Sequence, residues 1–334
     1  MPVTLTEAKN NAQDDIDVAV IDEFRKESAI LDSLTFADVV NPADGGDTLT
    51  YGYRRLITQP TASFRPINTE YTASEVQTQR YTVDLKVMGG SFRVDRVVAR
   101  IGPAASGAVT LNMQQKIKAT RTQFQDTVIN GDTAVDAESF DGLDKALTGT
   151  ATEFRAGAVT DWSDFDTDPR AEHKALDAVD EWLSLLDGSP TIILGNKRAL
   201  ARVRAAARRA GMYTQNPLDG LLGPNGRPIV REQYGDIVFA DPGDKAGSND
   251  PIIPVENRTV GGTAATGLTD LYAYRVGMDG FHGVACMGGT VVRQWLPNFD
   301  SPGAVKFGEV ELGPVAVALK STKAATVFRN IKVG

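Results

Sequence analysis

The chain has 334 residues and a formal net charge of −8 at pH 7, because 43 acidic residues outnumber 35 Lys and Arg. This balance weighs against sequence-driven binding to nucleic acid and against attraction to anionic membranes. Cys286 is the only cysteine and His173 and His282 are the only histidines, which excludes an intrachain disulfide and a cysteine-based metal centre and weakens the case for an enzyme.

The N-terminal region predicts a short amphipathic helix that is followed by a turn. Ile16, Val20 and Phe24 recur at helical spacing among acidic residues between positions 6 and 28. Turn-forming residues at 41–47 then mark a boundary. Neither the first ten residues nor any later run is apolar enough for a signal peptide or a spanning helix, so we expect a soluble chain that is not exported.

Three strands are predicted next. They cover Asp47 to Thr58, Val76 to Met88 and Ser91 to Val98, with Gly89 and Gly90 separating the last two. The connection from Gln59 to Ser74 is longer than those usual inside compact domains. Loops of this length usually bind a partner or are disordered.

Three helices follow. They are predicted at 106–130, at Pro169 to Leu186 and at Lys197 to Ala210. The first carries an apolar stripe from Val109 to Val128 and would be roughly 37 Å long, which suits a spine along an elongated body. Asp168 is the expected N-cap of the second helix and Gly188 its stop, and a short strand from Thr191 to Leu194 leads into the third.

The remainder reads mainly as strands and turns, so we expect a mixed α+β fold. The predicted strands are Ile229–Glu232, Ile237–Ala240, Leu271–Val276, Gly283–Met287, Val291–Leu296, Val305–Leu312 and Val315–Leu319.

Two motifs could carry chemistry but have simpler explanations. The run from Gly262 to Gly267 suggests a phosphate-binding loop, yet it has no flanking strand and helix, so a flexible glycine loop is favoured. His282, Asp279 and Cys286 could form a nucleophile cluster, but nothing in the sequence orients the imidazole. A structural histidine and a buried cysteine are the preferred interpretation.

The carboxylates also have structural explanations. Glu309 and Glu311 alternate with apolar residues, as on the solvated face of a strand. The acidic set Asp164, Asp166 and Asp168 lacks the glycine and distal glutamate of a calcium loop. His173, in the first turn of its helix, is expected to be solvated.

The third helix concentrates positive charge. Six cations and no acidic residue lie between Lys197 and Arg209. Such a face is either simply solvated or bound to an acidic partner, which in this acidic chain could be another copy of the same protein.

The order and lengths of these elements resemble the major capsid proteins of tailed bacteriophages (Caudoviricetes), the Hong Kong 97 type of shell fold. The resemblance covers an acidic arm, a long strand pair with an Arg- and Pro-containing tip, and a spine helix that ends in Asn130-Gly131-Asp132. Phe140-Asp141-Gly142-Leu143, Leu194-Gly195-Asn196-Lys197 and the segment Tyr274 to Gly280 continue it.

The resemblance implies five divisions of the chain. They are an N-terminal arm over 1–40, an extended loop with flanking strands over 41–99, a peripheral domain with the spine helix over 100–189, a mostly axial domain over 190–290, and C-terminal strands over 291–334 that return to the peripheral domain. The expected intersubunit contacts are Arg54, Arg55, Phe64, Arg65, Arg198, Arg202, Arg204 and Arg208.

The implied function is that of a structural protein which self-assembles as pentamers and hexamers into an icosahedral head, with no catalytic residue, cofactor or metal. Implied partners are a portal, a decoration protein and a separate scaffolding protein, since the chain begins almost at the arm. DNA would be enclosed without sequence-specific contact, and the protein would belong to the virion after assembly in the host cytoplasm. An encapsulin-like compartment and, less favoured, a carboxylate-based hydrolase are the alternatives.

Some shells of this family join a Lys of the extended loop to an Asn of a neighbour. Residues 44–85 contain no lysine, although Asn68 offers an amide and Lys86 follows far from the tip. Arginine stays protonated and cannot replace the lysine as nucleophile. We therefore expect a shell without this covalent link.

Overall fold

The computed structural model describes residues 29–37, 49–100, 103–211, 216–222, 228–231, 233–234, 237–286 and 292–334. The predicted helix between positions 6 and 28 and the turn at 41–47 lie outside these residues. Among the residues that are described, no helix has the length and apolar character needed to cross a membrane.

The described elements are five α-helices and seventeen strands. The helices are α1 (Ala29–Ser33), α2 (Pro103–Asn130), α3 (Leu143–Leu147), α4 (Ala171–Leu183) and α5 (Lys197–Arg209). The strands of the N-terminal half are β1 (Phe36–Ala37), β2 (Thr50–Thr58), β3 (Gln77–Asp84), β4 (Lys86–Asp95), β5 (Glu153–Phe154), β6 (Thr160–Asp161) and β7 (Ile192–Gly195). The remaining strands are β8 (Asn216–Leu222), β9 (Pro228–Arg231), β10 (Gln233–Tyr234), β11 (Ile237–Ala240), β12 (Glu256–Val260), β13 (Thr263–Tyr274), β14 (Phe281–Ala285), β15 (Val292–Trp295), β16 (Val305–Leu319) and β17 (Ala325–Lys332).

The first sheet has the order β1-β14-β16-β15, and β4 also pairs with β16. Residues of β16 alternate between buried and exposed up to position 311, which places one face of this sheet against α2 and the other in solvent. Phe92 and Val310 on the inner face form a core with Met113 of the helix.

The second sheet has the order β10-β11-β7-β13-β17-β5, with β12 beside β13 and β6 beside β17. Helices α4 and α5 pack on this sheet and share one apolar core. Phe328 lies at its centre, with its ring centroid 5.5 Å from that of Trp162 and 5.9 Å from that of Trp182.

The spine helix is confirmed and is slightly longer than predicted, at about 42 Å for its 28 residues. Its predicted stripe is partly correct, because Met113, Phe124 and Val128 are buried while Val109 is half-buried. The C-terminal half is buried on several faces, and Gln125 there accepts a hydrogen bond from the Ile30 backbone N–H at 3.2 Å. A single stripe therefore describes only the first half of the helix.

Gly131 ends the spine helix, as predicted, for a steric reason. A Cβ atom at this position would lie 2.2 Å from the carbonyl oxygen of Phe140 and 2.4 Å from that of Thr127. The loop that follows therefore returns closely onto the end of α2.

The break between the second and third predicted strands was placed wrongly. It falls at Leu85, whose side chain is buried and whose N–H donates to the Leu49 carbonyl oxygen at 2.7 Å. Gly89 and Gly90 lie within β4 instead, and a Cβ atom at Gly89 would lie 2.4 Å from the backbone oxygen of Val310. This glycine permits close approach of β4 and β16.

The predicted N-cap of the second long helix was also wrong. α4 begins after Arg170, which has a left-handed backbone (φ 59°), while the Asp168 side chain accepts a bond from Lys174 Nζ at 2.6 Å. Asp168 thus forms a surface ion pair. The helix ends at Leu183, five residues before the expected stop at Gly188.

Two C-terminal predictions need correction. Segments 305–312 and 315–319 form one strand, β16, with an irregularity between Leu312 and Val315. The expected glycine loop at 262–267 belongs to the β12–β13 hairpin, which turns at Gly261 and Gly262, both with positive φ. Two-residue turns of this kind require φ > 0, which glycine adopts readily.

The packing units do not follow the predicted boundaries at 189 and 291. Helix α4 precedes residue 189 but packs on the second sheet with α5. The final strand, β17, was not predicted and pairs with β13 of the second sheet, whereas β16 belongs to the first. The C-terminal segment therefore divides between both sheets.

Candidate functional site

The most exposed part of the described structure is the hairpin formed by β2 and β3. The strands pair antiparallel from Thr50↔Asp84 to Thr58↔Gln77, and the connection at 59–76 contains no helix or strand. Every residue from 56 to 80 is exposed. Six of them are large apolar residues, namely Leu56, Ile57, Phe64, Ile67, Tyr71 and Val76.

The base of the hairpin is held by tyrosines on one face of β2. Tyr51 is buried, and the Tyr53 hydroxyl donates to the Leu319 carbonyl oxygen at 2.9 Å. Burial raises the pKa of Tyr53, although Arg55 beside it opposes the shift. The Tyr53 and Tyr81 rings stack with centroids 5.8 Å apart. This anchor fixes the hairpin to the end of β16.

Arg55 belongs to the same anchor. Its Nε donates to the Lys320 carbonyl oxygen at 3.0 Å, a second guanidinium nitrogen donates to the Leu319 carbonyl oxygen, and the guanidinium lies 4.4 Å from the Tyr81 ring centroid. Arg55 is thus occupied within its own chain. The sequence signal for the anchor was the spacing of Tyr51, Tyr53 and Arg55, which places all three on one face of a strand.

Arg54 has the opposite environment. It lies directly across from Arg80 in the strand register, and both residues are exposed. Like charges directly opposite each other destabilise a strand pair. The outer face of the hairpin therefore offers an anion-attracting position about halfway along β2.

The tip is organised around Arg65. Its guanidinium donates to the Thr69 carbonyl oxygen at 2.9 Å and lies 5.1 Å from the Tyr71 ring centroid. Asn68 has a left-handed backbone (φ 67°) within this turn. Phe64 beside it is fully exposed. Arg65 therefore shapes the tip and Phe64 presents its apolar surface.

Helix α5 has its predicted boundaries within one residue, and Asn196 caps it by accepting from the Arg198 N–H at 3.0 Å. Its arginines differ in exposure and in their contacts with the rest of the chain. Arg202 is half-buried and its Nε donates to the Val333 carbonyl oxygen at 3.4 Å, whereas Arg198, Arg204 and Arg208 are exposed.

The nucleophile cluster of His282, Asp279 and Cys286, which the sequence analysis disfavoured, does not assemble. His282 and Cys286 are buried, while Asp279 pairs with Arg275 at 3.1 Å. Among the described residues, neither ring nitrogen of His282 has a hydrogen-bond partner. Burial lowers the pKa of His282, and Lys320 lowers it further. The predicted burial of the cysteine is confirmed, and the histidine is buried as well.

The carboxylate sets occupy surface positions. Glu309 is exposed and Glu311 half-exposed on the outer face of β16, as predicted, and His173 is exposed. Asp166 pairs with Arg209, which lowers its pKa. Asp164 accepts from nearby backbone and hydroxyl groups. Within the described ranges, no group of three or more His, Cys, Asp or Glu is arranged to hold a metal.

Sequence reasoning missed a buried ion-pair network beside a cavity of about 300 Å³. Asp270 is buried and accepts from Arg258 at 2.7 Å, from Arg329 at 3.4 Å and from the Asn330 N–H at 2.9 Å. Burial raises the pKa of the Tyr272 hydroxyl well above its ordinary value. Asp270 and Tyr272 alternate with apolar residues along β13, so the apolar pattern concealed them.

The chain is similar to several solved shell structures over nearly its whole length. It matches the holo-SrpI encapsulin complex of Synechococcus elongatus PCC 7942 with a TM-score of 0.56 and 15% identity, covering 100% of this chain and 97% of that chain. It matches the capsid of Myoviridae phage XM1 with a TM-score of 0.55 and 10% identity, covering 96% of this chain and 97% of that chain. It matches the capsid of the native GTA particle with a TM-score of 0.56 and 12% identity, covering 97% of each chain.

No protein-family model matches the sequence, and no curated protein matches it either. The structural likeness nonetheless spans both sheets, the spine helix and the hairpin. The chain has the Hong Kong 97-type capsid fold, so the predicted α+β class and the predicted resemblance are confirmed for the fold.

Proposed function

We propose that this protein is a major capsid protein, which self-assembles through pentamers and hexamers into an icosahedral head that encloses phage DNA. The observation that carries the proposal is the hairpin of β2 and β3 in a chain with a capsid fold. An isolated two-stranded hairpin is marginally stable in water. Its exposed apolar side chains need a surface to cover them, and a second copy of the chain supplies one.

The hairpin also contains the chemistry of a contact. Phe64 and Ile67 offer apolar surface at the tip, and the facing pair Arg54 and Arg80 attracts an acidic group. Exposed apolar patches of this kind mark interaction sites in soluble proteins. The Tyr53 hydroxyl ties the base of the hairpin to the end of β16. Of the eight expected contact residues, Arg55, Arg65 and Arg202 also bond within their own chain, and all eight remain proposed contacts.

The proposal assigns no catalytic residue, cofactor or metal to the chain. The partners are further copies, a portal, a separate scaffolding protein and a decoration protein, with DNA enclosed without sequence-specific contact. The protein would lie in the virion capsid after assembly in the host cytoplasm. The acidic net charge of −8 supports this part, because it limits adhesion to the enclosed phosphate backbone.

An encapsulin-like compartment is the second candidate, favoured by the match to the Synechococcus encapsulin complex. It predicts the same shell with a protein cargo. Particles isolated from the organism that produces them distinguish the two, since a phage head contains double-stranded DNA and a compartment contains a second protein. A gene for a portal or terminase beside this one would also favour the phage head.

Size-exclusion chromatography with light scattering tests the function itself. A shell protein elutes as capsomers or particles many times the 35.8 kDa chain mass. A carboxylate-based hydrolase, the third possibility, would elute as a compact monomer. Its structure would contain a ligand cleft. The paired and dispersed carboxylates described above give that possibility little support.

A further inference from the structure

Helices α4 and α5 carry opposite charges although they pack side by side. α4 contains four acidic residues and one lysine, and α5 contains six cations and no acidic residue. Their apolar faces meet in one core against the second sheet, which leaves the charged faces directed to solvent. One unit of the fold therefore presents a negative and a positive surface next to each other.

We name the exposed acidic residues of α4 the acidic ridge. They are Asp177, Asp180 and Glu181. We name the exposed arginines of α5 the basic ridge, leaving out Arg209, which pairs with Asp166. They are Arg198, Arg204 and Arg208.

The ion pairs that α5 forms within the chain involve the first and last residues of the helix rather than the basic ridge. Lys197 pairs with Asp241 at 3.3 Å, and Arg209 pairs with Asp166. Within the described residues, Arg198 and Arg208 form no ion pair, and neither does Asp177 on the other ridge. Arg198, Arg208 and Asp177 thus retain charge that no ion pair among the described residues neutralises, whereas Glu181 on the acidic ridge pairs with Arg155 at 3.7 Å.

Clustering of cations along one helix is unfavourable for the isolated subunit. Arg204 and Arg208 are four residues apart, so their side chains are neighbours on the helix surface and repel each other. Acidic groups from outside would relieve this repulsion. The acidic ridge provides groups of the right sign at a different place on the same molecule.

We infer that the acidic ridge of one copy contacts the basic ridge of the next copy. A heterologous contact of this kind, repeated from copy to copy, generates a ring when the rotation closes. This inference rests on the proposed shell function and deepens it, because it identifies the surfaces that join subunits within a capsomer. The occupant of the basic ridge is a second copy of this chain rather than nucleic acid.

Charge reversal on each ridge tests the contact. The basic-ridge variant is R198E/R208E, and the acidic-ridge variant is D177K/E181K. Each replaces attraction by repulsion at two exposed positions, which should raise the concentration required for assembly on the order of tenfold at low salt. The difference from wild type should shrink in 1 M salt, where charges are screened within about 3 Å.

Combining both reversals restores opposite charges across the contact. The quadruple variant R198E/R208E/D177K/E181K should therefore assemble near the wild-type concentration, although each pair of changes alone raises that concentration. R208K, which keeps the charge, is the matched control and should behave as wild type. Circular dichroism and thermal melting of each variant identify any that fail to fold.

Three results would overturn the inference. One is assembly of R198E/R208E at the wild-type concentration in low salt. Another is a well-folded quadruple variant that assembles no better than the double variants. The last is a basic-ridge variant that loses only nucleic acid and keeps its assembly. If wild-type chains form rings that never close into shells, the proposed function fails while the ridge contact still stands.

Discussion

Replacing Phe64 by alanine should separate assembly from subunit stability. Phe64 is fully exposed in the subunit, so its removal eliminates no intrachain burial and should change the free energy of unfolding by less than about 0.5 kcal/mol. If a neighbouring copy buries the ring, the same change removes roughly 2–3 kcal/mol from each contact. At about 1.4 kcal/mol per factor of ten, the association constant should fall roughly 30- to 150-fold.

The assay measures both quantities on the same preparations. Chemical denaturation of dissociated subunits reports the unfolding free energy, and light scattering against protein concentration reports assembly. Phe64→Leu keeps an apolar side chain and should lose much less assembly. Tyr51→Ala, at the buried base of the hairpin, should instead destabilise the subunit by about 3–5 kcal/mol. Normal assembly of Phe64→Ala, or an unfolding loss as large as that of Tyr51→Ala, would refute the reasoning.

Four further predictions concern other parts of the chain. Arg65→Glu should impair assembly but leave the melting temperature of the subunit nearly unchanged, because the contacts of Arg65 lie within the exposed tip. Equal losses in assembly and in melting temperature would show that the tip packs within its own chain. Asp270→Ala should cost about 1–3 kcal/mol, because the half-buried Arg258 and Arg329 each lose one of their carboxylate partners and the buried Asn330 N–H loses its acceptor. The exposed Glu309→Ala should cost less than about 0.5 kcal/mol, and denaturant titration measures both losses. Because the pKa of His282 is lowered in the folded state, the unfolded chain binds a proton below its ordinary pKa of about 6.5 that the folded chain does not bind. The free energy of unfolding should therefore fall more steeply from pH 7 to pH 5 in wild type than in His282→Gln. Equal slopes in the two proteins would contradict this prediction. Mature particles boiled in detergent should give one band near 35.8 kDa, since residues 44–85 contain no lysine, and a ladder of pentamer- and hexamer-sized bands would show that inference to be wrong.

The elements that the sequence predicted well depend on local patterns. The boundaries of α5 follow from its apolar spacing and the Asn196 cap, and the strand at 237–240 was predicted residue for residue. The order and lengths of such elements were enough to suggest the fold. No family model and no curated protein matches the sequence, so the order of the elements indicated the fold where sequence similarity did not.

The errors arose where distant contacts decide the structure. Leu85 interrupts a strand because it enters the core at the hairpin base, which local alternation does not show. The strand β17 was missed because its burial on both faces removes the alternating pattern. Asp168 looked like a helix cap by spacing, but a left-handed Arg170 starts the helix instead.

The candidate contacts were predicted as a set, but their separate roles required the structure. Sequence alone gives Arg54 and Arg55 the same expectation, although strand geometry places them on opposite faces. Arg55 donates to backbone oxygens 264 and 265 residues further along the chain, and Arg54 faces Arg80 in solvent. Only the three-dimensional pairing distinguishes an anchor from a free surface cation.

Electron microscopy of the purified chain, with its scaffolding protein where one is required, tests the central claim most directly. The account predicts closed icosahedral shells, with the β2–β3 hairpin of each copy lying on a neighbouring copy. A protein that remains strictly monomeric over a wide range of concentration and ionic strength would contradict it.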